Sequence, residues 1–158
     1  MGKPLKILFI ISEVEGFVKT GGLADVGGAL PLALQKEGHQ VMIVLPFYRS
    51  ILEHVESEPL IHSLGVPMGD REIWCAVRQS NLETVPVYLI EHQMYFFRDR
   101  LYDDGFQPFA DNAQRFGFFS KAVLQLCKAL QLAPDIIHCN DWQTALVPFY
   151  LQAHEGNQ

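Results

Sequence analysis

The most chemically suggestive stretch of the sequence is a lysine followed by a glycine pair, at Lys19, Gly21 and Gly22. It follows an apolar run at residues 7–11, typical of a buried strand, and precedes a helical periodicity that begins at Leu23. The first turn of a helix has unpaired N–H groups and a partial positive charge, and glycine lets a ligand approach the backbone. Because lysine adds a mobile cation, the stretch predicts a site for a phosphate-bearing ligand at the carboxyl end of the first strand.

A second polar stretch, Asn140, Asp141 and Trp142, follows residues 134–139, whose apolar character is typical of a short strand. Ligands of open α/β sheets bind at the carboxyl ends of strands, so these side chains would face the same cleft as Lys19. Another interpretation needs no ligand: Asp141 caps the next helix and the tryptophan packs against the core. The spacing alone leaves both interpretations open.

A third candidate is the group Asp111, Asn112 and Arg115, which begins an apolar periodicity that predicts a helix to about residue 130. These polar side chains could contact a substrate. An alternative that is at least as good makes Asp111 the N-cap of the helix and leaves Arg115 on the surface.

The glycine pair does not fit the common nucleotide-binding motifs. A dinucleotide fold needs G-x-G-x-x-G directly after the first strand and an acid near the end of the second. Here the loop at residues 13–20 is too long, and the second strand ends L-P-F at residues 45–47. In a P-loop the lysine follows the glycines, whereas Lys19 precedes them. The sequence therefore argues against a nicotinamide cofactor and against a P-loop.

A metal site is conceivable at His138, Cys139 and Asp141, because these residue types bind zinc. Neighbouring residues on a strand and its exit do not converge on one ion, however. We expect instead that His138 and Cys139 finish the strand and that Asp141 caps the helix, with no bound metal.

The composition excludes several classes of protein. The 158 residues are 49% hydrophobic and 19% charged, which favours one packed domain over disorder. The net charge is −6 without a basic stripe, so we expect no nucleic-acid partner. Three widely spaced cysteines favour a reducing cytosol. We expect neither a signal peptide nor a membrane segment, since no apolar run is long enough to span a bilayer.

Strand and helix patterns alternate along the chain, which predicts a three-layer, Rossmann-like α/β domain with a mainly parallel sheet over residues 1–158. We expect Gly38 to end the first helix, Asp25 to complement its dipole and Pro31 to kink it. The strands are predicted at residues 7–11, 39–45, 61–66, 71–79, 85–91 and 134–139, and the helices at residues 23–37, 111–130 and 142–153.

Residues 19–26, KTGGLADV, closely resemble the N-terminal signature of bacterial glycogen synthases and plant starch synthases, which elongate α-1,4-glucan with glucose from ADP-glucose. The surrounding motifs occur in the family's order and cover nearly the whole chain. They are ISEV at 11–14, GALP at 28–31, GH-x-V at 38–41, LP-x-Y at 45–48, Tyr95, Phe96, Arg98 and Tyr102, DN-x-x-RF at 111–116 and HCNDWQT at 138–144.

The resemblance implies the GT-B fold, in which two Rossmann-like domains face each other across a deep cleft. This chain is similar to most of the N-terminal domain of such an enzyme, a retaining glucosyltransferase that adds glucose to the non-reducing end of the glucan. The second domain, which by resemblance holds most of the nucleotide site, would be absent. We therefore expect no catalysis by the chain alone, and no cofactor beyond the nucleotide-sugar substrate.

The resemblance also assigns roles to individual residues. Lys19 is similar to the lysine that contacts the donor's phosphate, and the glycines would bring backbone N–H groups to the donor. Asp25 would serve either the cleft or the helix dipole, and we favour the dipole. The residues implied in catalysis are Asn140 and Asp111, and those implied in substrate binding are Lys19, Gly21, Gly22, Asp25, Asn112 and Asp141.

The chain departs from the family pattern at two places. Asn140 stands where many bacterial members have a histidine close to the transferred glucose, and asparagine cannot carry a proton at neutral pH. Some plant-type starch synthases resemble the chain here, which suggests a subgroup. Phe97 stands where an aspartate is frequent, and the usual Arg-Pro-Gly turn is missing near Arg98.

Two other functions remain open at this point. The chain could be a non-catalytic module of the same fold that binds a glucan or a partner protein. It could also belong to a related glycosyltransferase that uses UDP-glucose, because the base contacts would lie mostly in the other domain. The expected location is the cytoplasm of a bacterium, or the plastid if the source is a plant.

Overall fold

The computed structural model describes residues 2–155, with the side chains of residues 2–153; residues 1 and 156–158 of the predicted domain lie outside this range. The strands are β1 (Lys6–Ile10), β2 (Gln40–Pro46), β3 (Glu58–Met68), β4 (Arg71–Leu82), β5 (Val85–Glu91) and β6 (Ile136–Cys139). The helices are α1 (Gly22–Lys36), α2 (Arg49–Leu52), α3 (Gln93–Phe96), α4 (Asn112–Ala129) and α5 (Leu146–Glu155), and a 3₁₀ turn spans Trp142–Thr144.

The six strands form one sheet in the order β3-β4-β5-β2-β1-β6. Strands β5, β2, β1 and β6 are parallel, while the β3–β4 hairpin adds antiparallel strands at one edge. The crossovers β1-α1-β2 and β5-α4-β6 run in opposite directions across the sheet. Since such crossovers are right-handed, α1 and α4 lie on opposite faces and the sheet is the middle of three layers. The predicted α/β class with a mainly parallel sheet is confirmed.

Strand β1 lies between β2 and β6 and is the centre of the core. Ile7 pairs with Val41 on one side and with Ile136 on the other. Leu8 and Phe9 are fully buried, because helices cover both faces of the sheet. This double cover explains why the first strand is a continuous apolar run without alternation.

The ends of the helices follow the sequence with two differences. Gly38, at φ +94°, ends α1 as predicted, because the N–H groups of Gly38 and His39 return to carbonyls of the last turn. The helix assignment continues unbroken through Pro31 to Lys36. The predicted last helix is divided: the 3₁₀ turn comes first, and α5 begins only at Leu146.

Helix α1 packs unusually close to the loop that follows β1. A Cβ atom on Gly27 would lie closer than 3.0 Å to the carbonyl oxygen of Glu13, and one on Gly28 would lie 2.7 Å from Cβ of Glu15. These two glycines therefore allow the helix to lie directly against the strand exit. The contact fixes the start of α1 relative to the end of β1.

We expect Gly27→Ala to lower the free energy of unfolding by about 1–3 kcal/mol, because the added methyl group overpacks this contact. Urea unfolding of the chain measures the change. Gly22→Ala on the same helix is the matched control, since nothing lies within 4 Å of a Cβ there. The control should keep or slightly raise stability, because alanine favours helix. Equal stability of Gly27→Ala and the unsubstituted chain would contradict the close packing.

Candidate functional site

The carboxyl ends of the four parallel strands meet at one edge of the sheet, where ligands of such folds bind. Glu13 follows β1, Tyr48 follows β2, His92 follows β5 and Asn140 follows β6. Two of the three polar stretches that the sequence singled out, those at Lys19 and at Asn140, start from this edge. The topology therefore brings the exits of β1 and β6, 130 residues apart in the chain, next to each other.

The glycine pair lies at the start of α1, where the sequence predicted it. Gly21 is the N-cap residue, at φ −164°, an extended conformation that any residue adopts. Both Gly21 and Gly22 are exposed, and a Cβ on either would meet nothing within 4 Å. Neither the backbone conformation nor the packing within this chain requires glycine here. The turn thus keeps an open approach to the helix N-terminus, the geometry that an anion needs.

Lys19 is held beside this turn by two carboxylates. Its Nζ lies 2.6 Å from Oδ1 of Asp25 and 2.8 Å from Oε2 of Glu15. Hydrogen bonding to Asp25, and then to Glu15, raises the pKa of Lys19 above its ordinary value, so it stays charged. Asp25 therefore does more than complement the helix dipole. The three side chains together carry one net negative charge, which a phosphate must overcome.

Glu13 is a buried acid beneath the turn, with only 3% of its surface exposed. Its Oε1 accepts hydrogen bonds from the backbone N–H and from Oγ1 of Thr20, the latter at 2.7 Å. Its Oε2 accepts a hydrogen bond of 3.0 Å from the hydroxyl of Tyr102. One carboxylate thus connects the exit of β1, the glycine turn and a loop almost 90 residues away.

Tyr102 is the hub of the contacts across this edge. Its hydroxyl lies 2.8 Å from Oγ of Ser12, and its ring contacts Trp142 edge-on at 5.7 Å between centroids. Its carbonyl oxygen accepts a hydrogen bond of 2.8 Å from the side chain of Asn112. Burial raises the pKa of Tyr102, so the hydroxyl stays protonated and can donate to Glu13.

A cavity of about 710 Å³ opens between the segment just before the glycine pair and the loop at residues 99–103, which we call the Tyr102 loop. Residues 16–20 form one wall and residues 99–103 the other, while Ser50 and His54 close it on the side of α2. Lys19 lines the cavity on the first wall, and Tyr102 lines it on the second. The volume is ample for a small polar ligand.

Asn140 joins β6 to β1 rather than pointing freely into solvent. Its Nδ2 donates to the carbonyl oxygen of Ile10 at 2.8 Å and lies 3.2 Å from Nδ1 of His138. Asp141 has a strained backbone, with φ +62° and ψ −175°, a region that side chains rarely adopt. Its Oδ1 accepts a hydrogen bond of 2.6 Å from the N–H of Trp142. The predicted cap at Asp141 is confirmed, although it begins a 3₁₀ turn.

Asp111 occupies the N-cap position of α4, but its side chain does not cap the helix. Instead Arg98 binds both carboxylate oxygens, at 2.8 and 2.5 Å, and this pairing lowers the pKa of Asp111. Asn112 is likewise engaged, because its Oδ1 accepts from Arg115 at 2.7 Å. The predicted capping by the Asp111 side chain is therefore wrong: the guanidinium, a charged bidentate donor, is the stronger partner.

Arg115 is fully buried, so the interpretation as a surface arginine is wrong. Its side chain donates to the carbonyl oxygens of Tyr95, at 2.7 Å, and Leu101, at 2.8 Å. Burial first, and then the charge of Arg98, lowers its pKa to about 10. Arg115 thus anchors the segment that carries Tyr102, and the sequence pattern did not reveal this role.

Two of the residues considered as metal ligands, His138 and Asp141, make other contacts. The His138 ring stacks on Phe9 at 4.6 Å between centroids, and the Asp141 carboxylate binds the backbone of Trp142. Among the side chains of residues 2–153, no group of three or more His, Cys, Asp or Glu is placed to hold a metal ion. None of the helices within residues 2–155 combines the length and the hydrophobicity that a membrane-spanning segment requires.

Sequence reasoning did not select Glu13, Thr20 or Tyr102 as site residues, although they connect the candidate site. One local signal was available: Glu13 is an acid directly after a buried strand, at the end where ligands bind. No pattern in the sequence pairs it with Tyr102, because the contact spans 89 residues.

We expect Asp141→Gly to be more stable than Asp141→Ala by about 1 kcal/mol or more, because glycine adopts the strained conformation freely. Both variants lose the carboxylate, so urea unfolding of the pair isolates the backbone term. Asp25 in the first turn of α1 provides the matched control pair. There alanine should be the more stable by up to about 1 kcal/mol. The same order at both positions would contradict the strain at Asp141.

Comparison with known proteins places this geometry in a family. A family model described as the starch synthase catalytic domain matches residues 6–158. The glycogen synthase of Aeromonas salmonicida (strain A449) is 49% identical over 98% of the chain and 32% of its own length. The glycogen synthase of Geotalea daltonii is 44% identical over 97% of the chain and 32% of its length.

A solved structure agrees with these relatives. The catalytic domain of starch synthase IV from Arabidopsis thaliana, bound to ADP and acarbose, superposes with a TM-score of 0.84 and 32% identity. The match covers 98% of this chain and 32% of that one. The chain thus spans about a third of the length of the relatives it matches. With the fold, the motifs and these matches in agreement, the chain belongs to the starch synthase catalytic domain family.

Proposed function

We propose that this chain forms one wall of the active site of a glucosyltransferase. The whole enzyme moves glucose from ADP-glucose to the non-reducing end of an α-1,4-glucan, in glycogen or starch synthesis. The observation that carries the proposal is the open helix start at Gly21 and Gly22 with Lys19 beside it. Family membership and the ADP bound to the Arabidopsis relative support it.

In the proposed reaction, the bond between the sugar carbon and the diphosphate breaks, and a bond from that carbon to a hydroxyl oxygen of the glucan forms with retention of configuration. The proton of that hydroxyl leaves with the diphosphate. Negative charge then grows on the departing diphosphate. The Lys19 ammonium and the first N–H groups of α1 would stabilise that charge. The 710 Å³ cavity beside Lys19 offers room for the part of the substrate nearest the phosphates.

The other candidate residues take supporting parts in the proposal. Asn140 and Asp111 were expected in catalysis, and their bonds to Ile10 and Arg98 favour orienting roles at the cleft. Asn112 steadies the Tyr102 loop, and Asp141 sets the exit of β6. The acceptor glucan would bind in the same cleft.

The other domain is the remaining partner in the proposal. It would close the cleft from the opposite side and supply most of the contacts to the nucleotide. The reaction needs no metal or other cofactor in this scheme, because the nucleotide-sugar carries the activated glucose. The proposed setting is the bacterial cytoplasm, or the plastid for a plant source.

The turn at residues 19–22 would contact the diphosphate, which ADP-glucose and UDP-glucose share. A UDP-glucose enzyme of the same family is therefore the second candidate. The decisive assay offers both donors with glycogen to the full-length protein that contains this chain. Transfer from ADP-glucose supports the proposal, transfer from UDP-glucose alone supports the second candidate, and transfer from neither supports a non-catalytic glucan-binding module.

In the full-length protein, we expect Lys19→Met to lower kcat/KM for the sugar donor by about 100-fold or more, because the cation stabilises the leaving diphosphate. Steady-state kinetics with saturating glycogen measures the loss. Lys36→Met, at the opposite end of α1, is the matched control and should leave kcat/KM unchanged. A loss below about threefold for Lys19→Met would contradict the proposed role.

We expect Glu15→Gln to tighten ADP binding about two- to fivefold, since the loss of one competing carboxylate leaves Lys19 freer to meet the phosphates. Calorimetry of the full-length protein at low salt measures the affinity. The gain should shrink at high salt, which screens exposed charges. Glu37→Gln, at the C-cap of α1, removes the same charge far from the turn and should change nothing. Weaker ADP binding by Glu15→Gln would contradict the competition.

A further inference from the structure

We infer that Glu13 is a positioning residue: its buried carboxylate fastens the turn that carries Lys19 to the Tyr102 loop and so sets the phosphate-binding groups. The inference rests on the proposed function, and it adds a residue that does not itself touch the donor. It follows from the burial of Glu13, from its hydrogen-bond donors and from the elements that those donors belong to.

The buried carboxylate of Glu13 needs compensating partners. A buried charge lowers the stability of the folded state unless hydrogen bonds or an opposite charge compensate it. Glu13 is 3% exposed, and none of the ion pairs among the described residues includes it. Its compensation comes instead from neutral donors, on Thr20 and Tyr102. An apolar side chain of similar volume would stabilise the core at this position at least as well as an acid does. The acid therefore points to a requirement beyond folding.

Thr20 links the carboxylate of Glu13 to the turn that carries Lys19. Its backbone N–H and its hydroxyl both donate to the same oxygen of Glu13. Thr20 lies between Lys19 and Gly21, so the two bonds fix the peptide that connects the cation to the glycine pair. Hydrogen bonds to a charged acceptor are about twice as strong as neutral ones. The carboxylate therefore holds the turn more tightly than an amide could.

The other oxygen of Glu13 accepts a hydrogen bond from the hydroxyl of Tyr102, which belongs to the opposite wall of the 710 Å³ cavity. Glu13 thus connects the two walls, through hydrogen bonds to Thr20 on one and to Tyr102 on the other. The distance between Lys19 and the Tyr102 loop depends on this carboxylate.

The fold of the loop does not depend on it. Val14 and Val18 form a backbone bridge, with N–O distances of 3.2 and 2.9 Å, and the N–H of Glu15 donates to Ala24 at 2.9 Å. These bonds keep the chain path when the side chain at position 13 changes. Loss of the carboxylate should therefore loosen the turn without unfolding the domain.

The test compares Glu13→Gln with the unsubstituted full-length protein. The amide has nearly the same shape but cannot accept from all three donors. We expect kcat/KM for the sugar donor to fall about tenfold, because a displaced Lys19 stabilises the leaving diphosphate less well, while the KM for glycogen stays unchanged. Hydrogen exchange of the amides at residues 19–22 should become faster. Glu91→Gln, at the end of β5, is the matched control and should change none of these.

A double substitution separates positioning from general damage. If Glu13 acts through Lys19, Glu13→Gln should lower kcat/KM for the sugar donor much less in the Lys19→Met protein than in the unsubstituted protein. The inference is overturned if the effects of the two substitutions on kcat/KM multiply, or if Glu13→Gln leaves kcat/KM for the donor unchanged. Equal losses for donor and glycogen together with a large fall in Tm would also overturn it. If the protein transfers glucose from no donor, the proposed function fails. In that case faster exchange confined to residues 19–22 would still support the fastening, and unchanged exchange would overturn it.

Discussion

The hydrogen bonds of one buried carboxylate, Glu13, hold the candidate site together. Three donors reach it from two segments that are distant in the sequence, and their strength depends on the low polarity around it. The surrounding structure provides that setting: β1 is buried in the centre of the sheet, and the glycines of α1 bring the helix against the strand exit. Through these bonds, Glu13 connects the turn before the open helix start to the Tyr102 loop on the other side of the cavity.

The electrostatics of the turn suit a site that is completed elsewhere. Lys19 lies beside the start of α1, yet Glu15 and Asp25 offset its charge. A turn with a net negative charge holds a diphosphate weakly by itself. The proposed function therefore requires further positive groups from a part of the enzyme outside this chain. The length of the relatives, about three times the matched part, agrees with this division.

The fold was largely predictable because its signals are local. The apolar run of β1, the periodicity of α1 and the terminating Gly38 each appear within a few residues. The site was predictable only in part, since its contacts join residues far apart. The Glu13–Tyr102 bond and the burial of Arg115 leave no trace in local spacing. Asp111 shows the same limit: as a helix cap it is locally plausible, but Arg98 from a preceding loop binds it instead.

A chemical-shift titration with ADP shows most directly whether this chain by itself presents the groups that we propose meet the donor's phosphates. We expect shifts of the backbone amides at residues 20–23, with weak, salt-sensitive affinity, and we expect Lys19→Met to abolish them. Shifts confined to other parts of the chain, or a response that is identical in Lys19→Met, would contradict the proposal.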